Sequence, residues 1–293
     1  MQGLMMDTQL SISSFIRHAE TVHGKSRIVS RKPEGGILHC TYADAARRAR
    51  QAANVLRKLG VQHQDRVATL AWNTHRHFEL YFAVSGSGAI LHTVNPRLFP
   101  EQIVYILNHA EDEVLFLDIQ FVPLIEKIRD QLPRLKHVVL LVDKDKMPQS
   151  SLPLLCYEEL LAAESDRYQW PEFDEQTAAA LCYTSGTTGH PKGVLYSHRS
   201  TVIHALGSVS NDALGISSRS VVLPVVPMFH INAWGVPYAA AASGATLVLP
   251  GNGMDGASIY ELIDTEQVTL MLGVPTVWLA LLEYCAQNKL KMS

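Results

Sequence analysis

Between residues 182 and 198 the chain reads CYTSGTTGHPKGVLYSH, and the chemistry-bearing groups crowd into its middle. Thr184, Ser185, Thr187 and Thr188 bring hydroxyls, Lys192 brings a fixed positive charge, and Gly186, Gly189 and Gly193 leave the backbone open to close approach. Exposed N–H groups, hydroxyls and one ammonium together make a receptor for phosphate oxygens. The Walker A pattern G-x-x-x-x-G-K-[ST] does not fit, because Lys192 follows Pro191 and Gly193 stands where its Ser or Thr would hold magnesium. The apolar stretches on either side, 178–183 and 194–196, read as strands, with a helix only from about Ser200, so the loop runs strand to strand. An ordinary Gly/Ser/Thr hairpin is the competing interpretation.

A second group of candidates lies at 228–235, MFHINAWG, after an apolar strand. His230 is expected to begin a helix there and to face the crevice at the C-terminal ends of the strands. Other constellations are bland. His75 and His77 lack a third metal ligand, Ser197 and His198 are sequence neighbours without an elbow motif, and Gly86-Ser87-Gly88 closes a helix. Asn95 and Pro96 read as a turn, and His190 as a surface residue.

The run from Tyr183 to Val194 resembles the phosphate loop of the adenylate-forming superfamily, which includes acyl-CoA synthetases, luciferases and adenylation domains. Residues 222–238, 71–98 and 273–282 resemble its medium- and long-chain fatty-acyl-CoA synthetase branch, so the similarity covers nearly the whole chain. The resemblance implies that Thr184, Ser185, Gly186, Thr187, Thr188, Gly189 and Lys192 hold the ATP phosphates, with Thr184 also touching Mg2+. It places His230 beside the acyl-adenylate, has Ile231 line the same pocket through its backbone, and makes Trp234 a gate on a fatty-acyl tunnel. A tryptophan at that position could equally be core. Lys192 and His230 are thus the catalytic candidates.

The implied activity is MgATP-dependent activation of a fatty acid, followed by transfer to CoA. Amino-acid-activating relatives carry an Asp early in the segment after this strand; here 230–235 holds no carboxylate, and a buried amine would lack its counter-charge. An aryl or cinnamate-type acid is the alternative substrate, and a non-catalytic ATP-binding module the alternative role.

The 293 residues are 47% hydrophobic and 18% charged, with a formal net charge of −3, which gives no reason to expect nucleic acid. Cys40, Cys156, Cys182 and Cys285 are scattered without a C-x-x-C, fitting a reduced, cytoplasmic setting. No signal peptide is evident, and the alanine-rich 233–249 is too short and too interrupted to be a transmembrane segment. A homodimer is compatible with all of this.

The elements that must position the site alternate. The stretch 41–60 reads as a helix begun by Thr41 with Asp44 and closed by Gly60, its alanines and leucines forming one stripe. Stretches 66–72, 89–95, 113–118 and 137–142 read as buried strands separated by amphipathic helices. After a polar connector, 143–153, the rhythm resumes with the phosphate loop and the strands 221–227, 245–250 and 268–275, then a helix over 276–288. The expected fold is α/β, with stacked, mostly parallel sheets flanked by helices.

By the family's pattern, residues 1–293 form an incomplete N-terminal adenylation domain with a soft internal boundary at 143–175. Residues 175–293 would carry the phosphate loop and part of the acyl pocket. The magnesium-binding Glu, the ribose-binding Asp and the C-terminal domain with its lysine are expected to be absent, leaving a truncated, inactive fragment.

Overall fold

The computed structural model describes residues 1, 3–184 and 190–292. In chain order the first elements are α1 (Ser13–His23), β1 (Arg27–Arg31), β2 (Ile37–Thr41), α2 (Tyr42–Lys58), β3 (Arg66–Leu70), α3 (His75–Gly86) and β4 (Ile90–Thr93). Next come α4 (Pro100–His109), β5 (Val114–Leu117), α5 (Val122–Ile128), β6 (His137–Leu140), β7 (Leu154–Cys156) and α6 (Tyr157–Ala162). The remainder is β8 (Ala178–Thr184), β9 (Lys192–Ser197), α7 (His198–Ser208), β10 (Val221–Pro224), α8 (Ile231–Trp234), α9 (Val236–Ser243), β11 (Thr246–Leu249), α10 (Gly256–Glu266), β12 (Leu270–Leu272) and α11 (Pro275–Asn288).

Two sheets form. One has seven strands in the order β7-β6-β5-β3-β4-β8-β9, and the other five, in the order β12-β10-β11-β1-β2. All pairings are parallel except β1 with β2 and β8 with β9. Residues alternate between faces along each strand. On β3, Val67 joins a core shared with α1, α2, α3 and α9, while Ala68 joins a core with α4 and α5. On β11, Leu247 enters the shared core and Val248 packs with α10 and α11. The result is five layers, helices between the sheets and outside each, as continuous apolar strands require.

The helix expected from Thr41 forms as α2: Thr41 Oγ1 accepts from Asp44 N at 3.2 Å, and the Asp44 carboxylate accepts from Thr41 N at 3.1 Å. Other expectations need correction. The rhythm resumes before the phosphate loop, because β7 and α6 follow the connector and β7 extends the seven-stranded sheet beside β6. A three-residue strand is too short to show a period. Strand pairing also runs across 143–175, since β8 and β9 join the same sheet as β3–β7.

Nor is α3 amphipathic: every one of its residues is buried, polar ones included. It lies between the sheets, and its charges are paired internally. The Arg76 guanidinium donates to Glu158 at 2.8 Å, to Glu34 at 2.7 Å and to Asp143, while Glu79 accepts from Arg48 at 2.6 Å and from the Tyr157 hydroxyl at 2.9 Å. His77 shares hydrogen bonds with Thr69 and with the Trp72 carbonyl, which makes it a satisfied interior group.

Candidate active site

The two sheets meet at the C-terminal ends of β3 and β11, where Asn73 and Gly251 form an isolated antiparallel bridge. Two rims border this end. One is the end of the β8–β9 hairpin; the other is the chain from β10 to α9.

At the hairpin, Thr184 faces Lys192 across the ladder, and the Thr184 hydroxyl donates to the Lys192 carbonyl at 3.5 Å. Both residues are exposed. None of the ion pairs among the described residues includes Lys192. An exposed ammonium beside an exposed, weakly bonded hydroxyl suits an incoming anion, and the hydroxyl oxygen could serve as one ligand to a magnesium ion. Among the described residues no group of three or more His, Cys, Asp or Glu could hold a metal ion. Ser185, Gly186, Thr187, Thr188 and Gly189 lie outside the described residues.

The opposite rim departs from expectation. His230 does not begin a right-handed helix. The residues after it, Ile231 to Trp234, have φ between 46° and 54°, so α8 is a single left-handed turn. Gly235, at φ 71°, continues it, and the right-handed helix starts only at Val236. Four non-glycine residues in this region cost roughly 1–2 kcal/mol each, so the surroundings must impose the shape. They do so with buried polar bonds. Asn73, fully buried, donates to the Pro224 and Val226 carbonyls at 2.9 Å each and accepts from Met228 N at 2.7 Å. The Tyr81 hydroxyl donates to the Met228 carbonyl. Within the turn, Ala233 is buried, and Asn232 accepts from the Cys182 thiol at 3.4 Å. Burial pushes the Cys182 thiol up; the Thr93 hydroxyl and the N–H groups of Asn232 and Ile231 pull the other way.

The Ile231 N–H is thus turned toward Cys182, and Ile231 also borders a cavity. That cavity, about 230 Å3, is lined by Tyr196, Thr201, His204, Ile231, Trp234 and Tyr238, between α7 and the left-handed turn. Trp234 is 37% exposed, which sets aside the core interpretation. His230 is exposed at the head of the turn. The structure therefore gathers Thr184 with Lys192, and His230 with Ile231 and Trp234. The Cys182–Asn232 contact ties the two rims two residues before Thr184. Asn73, Tyr81, Cys182 and Asn232 escaped sequence reasoning; a lone Asn closing an apolar strand was the one local signal.

Residues 15–292 match the family model described as AMP-binding enzyme. The chain belongs to that family. It is 52% identical over its full length to the 3-methylmercaptopropionyl-CoA ligase of Ruegeria lacuscaerulensis, of which it covers 54%. Over 98% of the chain it is 50% identical to the medium-chain-fatty-acid–CoA ligase of Ectopseudomonas oleovorans, covering 53% of that protein. The chain thus spans about half the length of these curated relatives. The fold matches the crystal structure of the anthranilate-CoA ligase AuaEII in complex with anthranoyl-AMP, with a TM-score of 0.87 at 24% identity, covering 100% of this chain and 55% of that one. Among the described residues no helix is long and apolar enough to cross a membrane.

Proposed function

We propose that this chain is the ATP- and acid-handling part of an AMP-forming acid–CoA ligase whose acid has an uncharged, apolar tail. The observation that carries it is the pairing of Thr184 and Lys192 at one rim with a cavity at the other that has aromatic walls and no acidic lining residue. In the first half-reaction a carboxylate oxygen attacks the α-phosphorus of MgATP, and the bond to pyrophosphate breaks. Negative charge builds on the phosphate oxygens, and the Lys192 ammonium stabilises it together with the Thr184 hydroxyl and the magnesium that accompanies ATP. In this reading His230 lies beside the acyl-adenylate, and Ile231 and Trp234, which line the cavity, border the tail. In the second half-reaction the CoA thiol attacks the activated carbonyl and AMP leaves.

An aliphatic or aromatic tail suits a cavity of about 230 Å3 whose lining carries no acidic residue. The names of the two relatives, one for a thioether acid and one for medium-chain fatty acids, support a tail of that kind. An amine-bearing acid is disfavoured, because its ammonium would be desolvated without a partner. The test is acid-dependent exchange of pyrophosphate into ATP by the whole protein. 3-Methylmercaptopropionate, octanoate, palmitate, cinnamate and alanine are compared. Exchange with octanoate well above that with alanine is expected. Exchange with alanine equal to octanoate, or none with any acid, overturns the reading.

A further inference from the structure

His190, set aside in the sequence as a surface residue, is not free. Its ring stacks on Tyr105 of α4, with centroids 4.4 Å apart and planes 15° apart. One turn along the same helix, the His109 ring also stacks with Tyr105, at 5.4 Å. The spacing of four places both rings on one face of α4. His109 Nδ1 then shares a hydrogen bond of 2.6 Å with the Tyr183 hydroxyl. The Tyr183 ring packs against His92 at 5.1 Å, and His92 is held by a 2.6 Å bond to Asp112, both fully buried. Five rings thus form a column from the interior of the seven-stranded sheet to the end of its hairpin. Burial, with the Asp112 charge, pushes the Tyr183 hydroxyl up to about 12, so it stays protonated and able to donate.

Tyr183 precedes Thr184 by one residue, and His190 precedes Lys192 by two. One helix face therefore grips both legs of the hairpin where the hydroxyl and the ammonium are presented. We propose that Tyr105 and His109 of α4 are positioning residues that hold Thr184 and Lys192 in register for a nucleotide phosphate. The phosphate part of this inference rests on the function proposed above; the grip itself does not. Neither α4 residue is fully buried: Tyr105 is half-buried, packed at the edge of the core beneath α4, and His109 is exposed, so Tyr105→Ala costs some packing as well as the grip.

The experiment pairs two measurements on the protein with Tyr105→Ala, Tyr105→Phe and His190→Ala. Amide hydrogen exchange is followed across 178–197, and affinity is measured for magnesium AMP-PNP, a non-hydrolysable ATP analogue. Losing one ring pair in His190→Ala should speed exchange and weaken AMP-PNP by about 2- to 12-fold with the melting midpoint little changed, and Tyr105→Ala, which loses both of its stacks, should do at least as much. Tyr105→Phe keeps the stacked ring and should match the unsubstituted protein. Faster exchange with unchanged AMP-PNP affinity supports the grip and places the fault in the phosphate reading. Unchanged exchange in both alanine variants overturns the grip, as does an equal loss in Tyr105→Phe. If Tyr105→Ala fails to fold, His190→Ala decides alone, since His190 is exposed and its removal opens no cavity.

Discussion

The two rims of the crevice are built on opposite principles. The hairpin rim presents Thr184 and Lys192 to solvent, with one weak cross-strand bond between them and packing only along its legs. The rim from Pro224 to Gly235 is held from below by fully buried Asn73 and by Tyr81, and it carries a strained left-handed turn against Cys182. A charged group that must meet a hydrated, mobile ligand gains from remaining solvated until the ligand arrives. A wall that must exclude water and fix the direction of a tail gains from rigidity. The difference separates cleanly into measurable terms: changes under the second rim should cost stability, and changes on the first should cost chemistry.

The largest effect is expected at Asn73. Asn73→Ala strands two carbonyls and one N–H in the interior, so stability should fall by about 3–5 kcal/mol in a denaturant melt. A loss under 1 kcal/mol would mean that the second rim is not held from below. Next to it, Asp118 accepts from Trp72 N at 2.7 Å, and burial pushes its carboxyl up to about 7, against the pull of that N–H and of Arg76. In the unfolded chain the same group ionises near pH 3.9, approximately. Between those values the native state holds a proton that the unfolded chain has released. Stability therefore falls as pH rises through the window, by about 1.4 kcal/mol per unit and up to roughly 4 in total. Asp118→Asn keeps the acceptor for Trp72 and should flatten that slope. Melts of both proteins from pH 4 to pH 8 that run parallel would refute the assignment.

On the hairpin rim, Lys192→Ala should lower pyrophosphate exchange by on the order of 10²-fold while moving stability by less than about 0.5 kcal/mol. A melt shifted as far as that of Asn73→Ala would erase the contrast between the rims. The smallest effect belongs to Ala233, buried at φ 50°. Ala233→Gly relieves the left-handed strain and should stabilise by about 0.5–1 kcal/mol, after the entropy that glycine adds to the unfolded chain. A destabilised variant would show that the turn carries no strain at that residue.

What the sequence disclosed was whatever local chemistry dictates. Thr41 and Asp44 mark the start of α2 because a capping box needs only four neighbouring residues. The strand–loop–strand course around Lys192 follows from apolar runs interrupted by glycine. What it hid depends on distant partners. The helix that holds His75, Arg76, His77 and Glu79 reads as amphipathic, yet Glu34, Asp143, Glu158, Arg48 and Tyr157 come from four other segments to meet its charges, and all of it is buried. The turn after His230 has helix-compatible residues, and its left-handed form follows only from Asn73, Tyr81 and Cys182, more than forty residues away in sequence. His190 gained its role in the same way, from a tyrosine on α4.

The register of β1 has a consequence for the chain while it is being made. Ile28, Val29 and Ser30 pair with Leu247, Val248 and Leu249. At about 5–20 residues per second, the ribosome needs on the order of ten to forty seconds to deliver β11 after β1 has emerged. For that interval β1 and β2 form a lone two-stranded ribbon whose free edge presents Ile28 and Val29. The seven-stranded sheet has most of its parallel strands in sequence before residue 184 and can assemble meanwhile, as a platform on which the ribbon waits. Synthesis thus leaves the five-stranded sheet as the last layer to close, and its long sequence separation makes that closure slow as well as late.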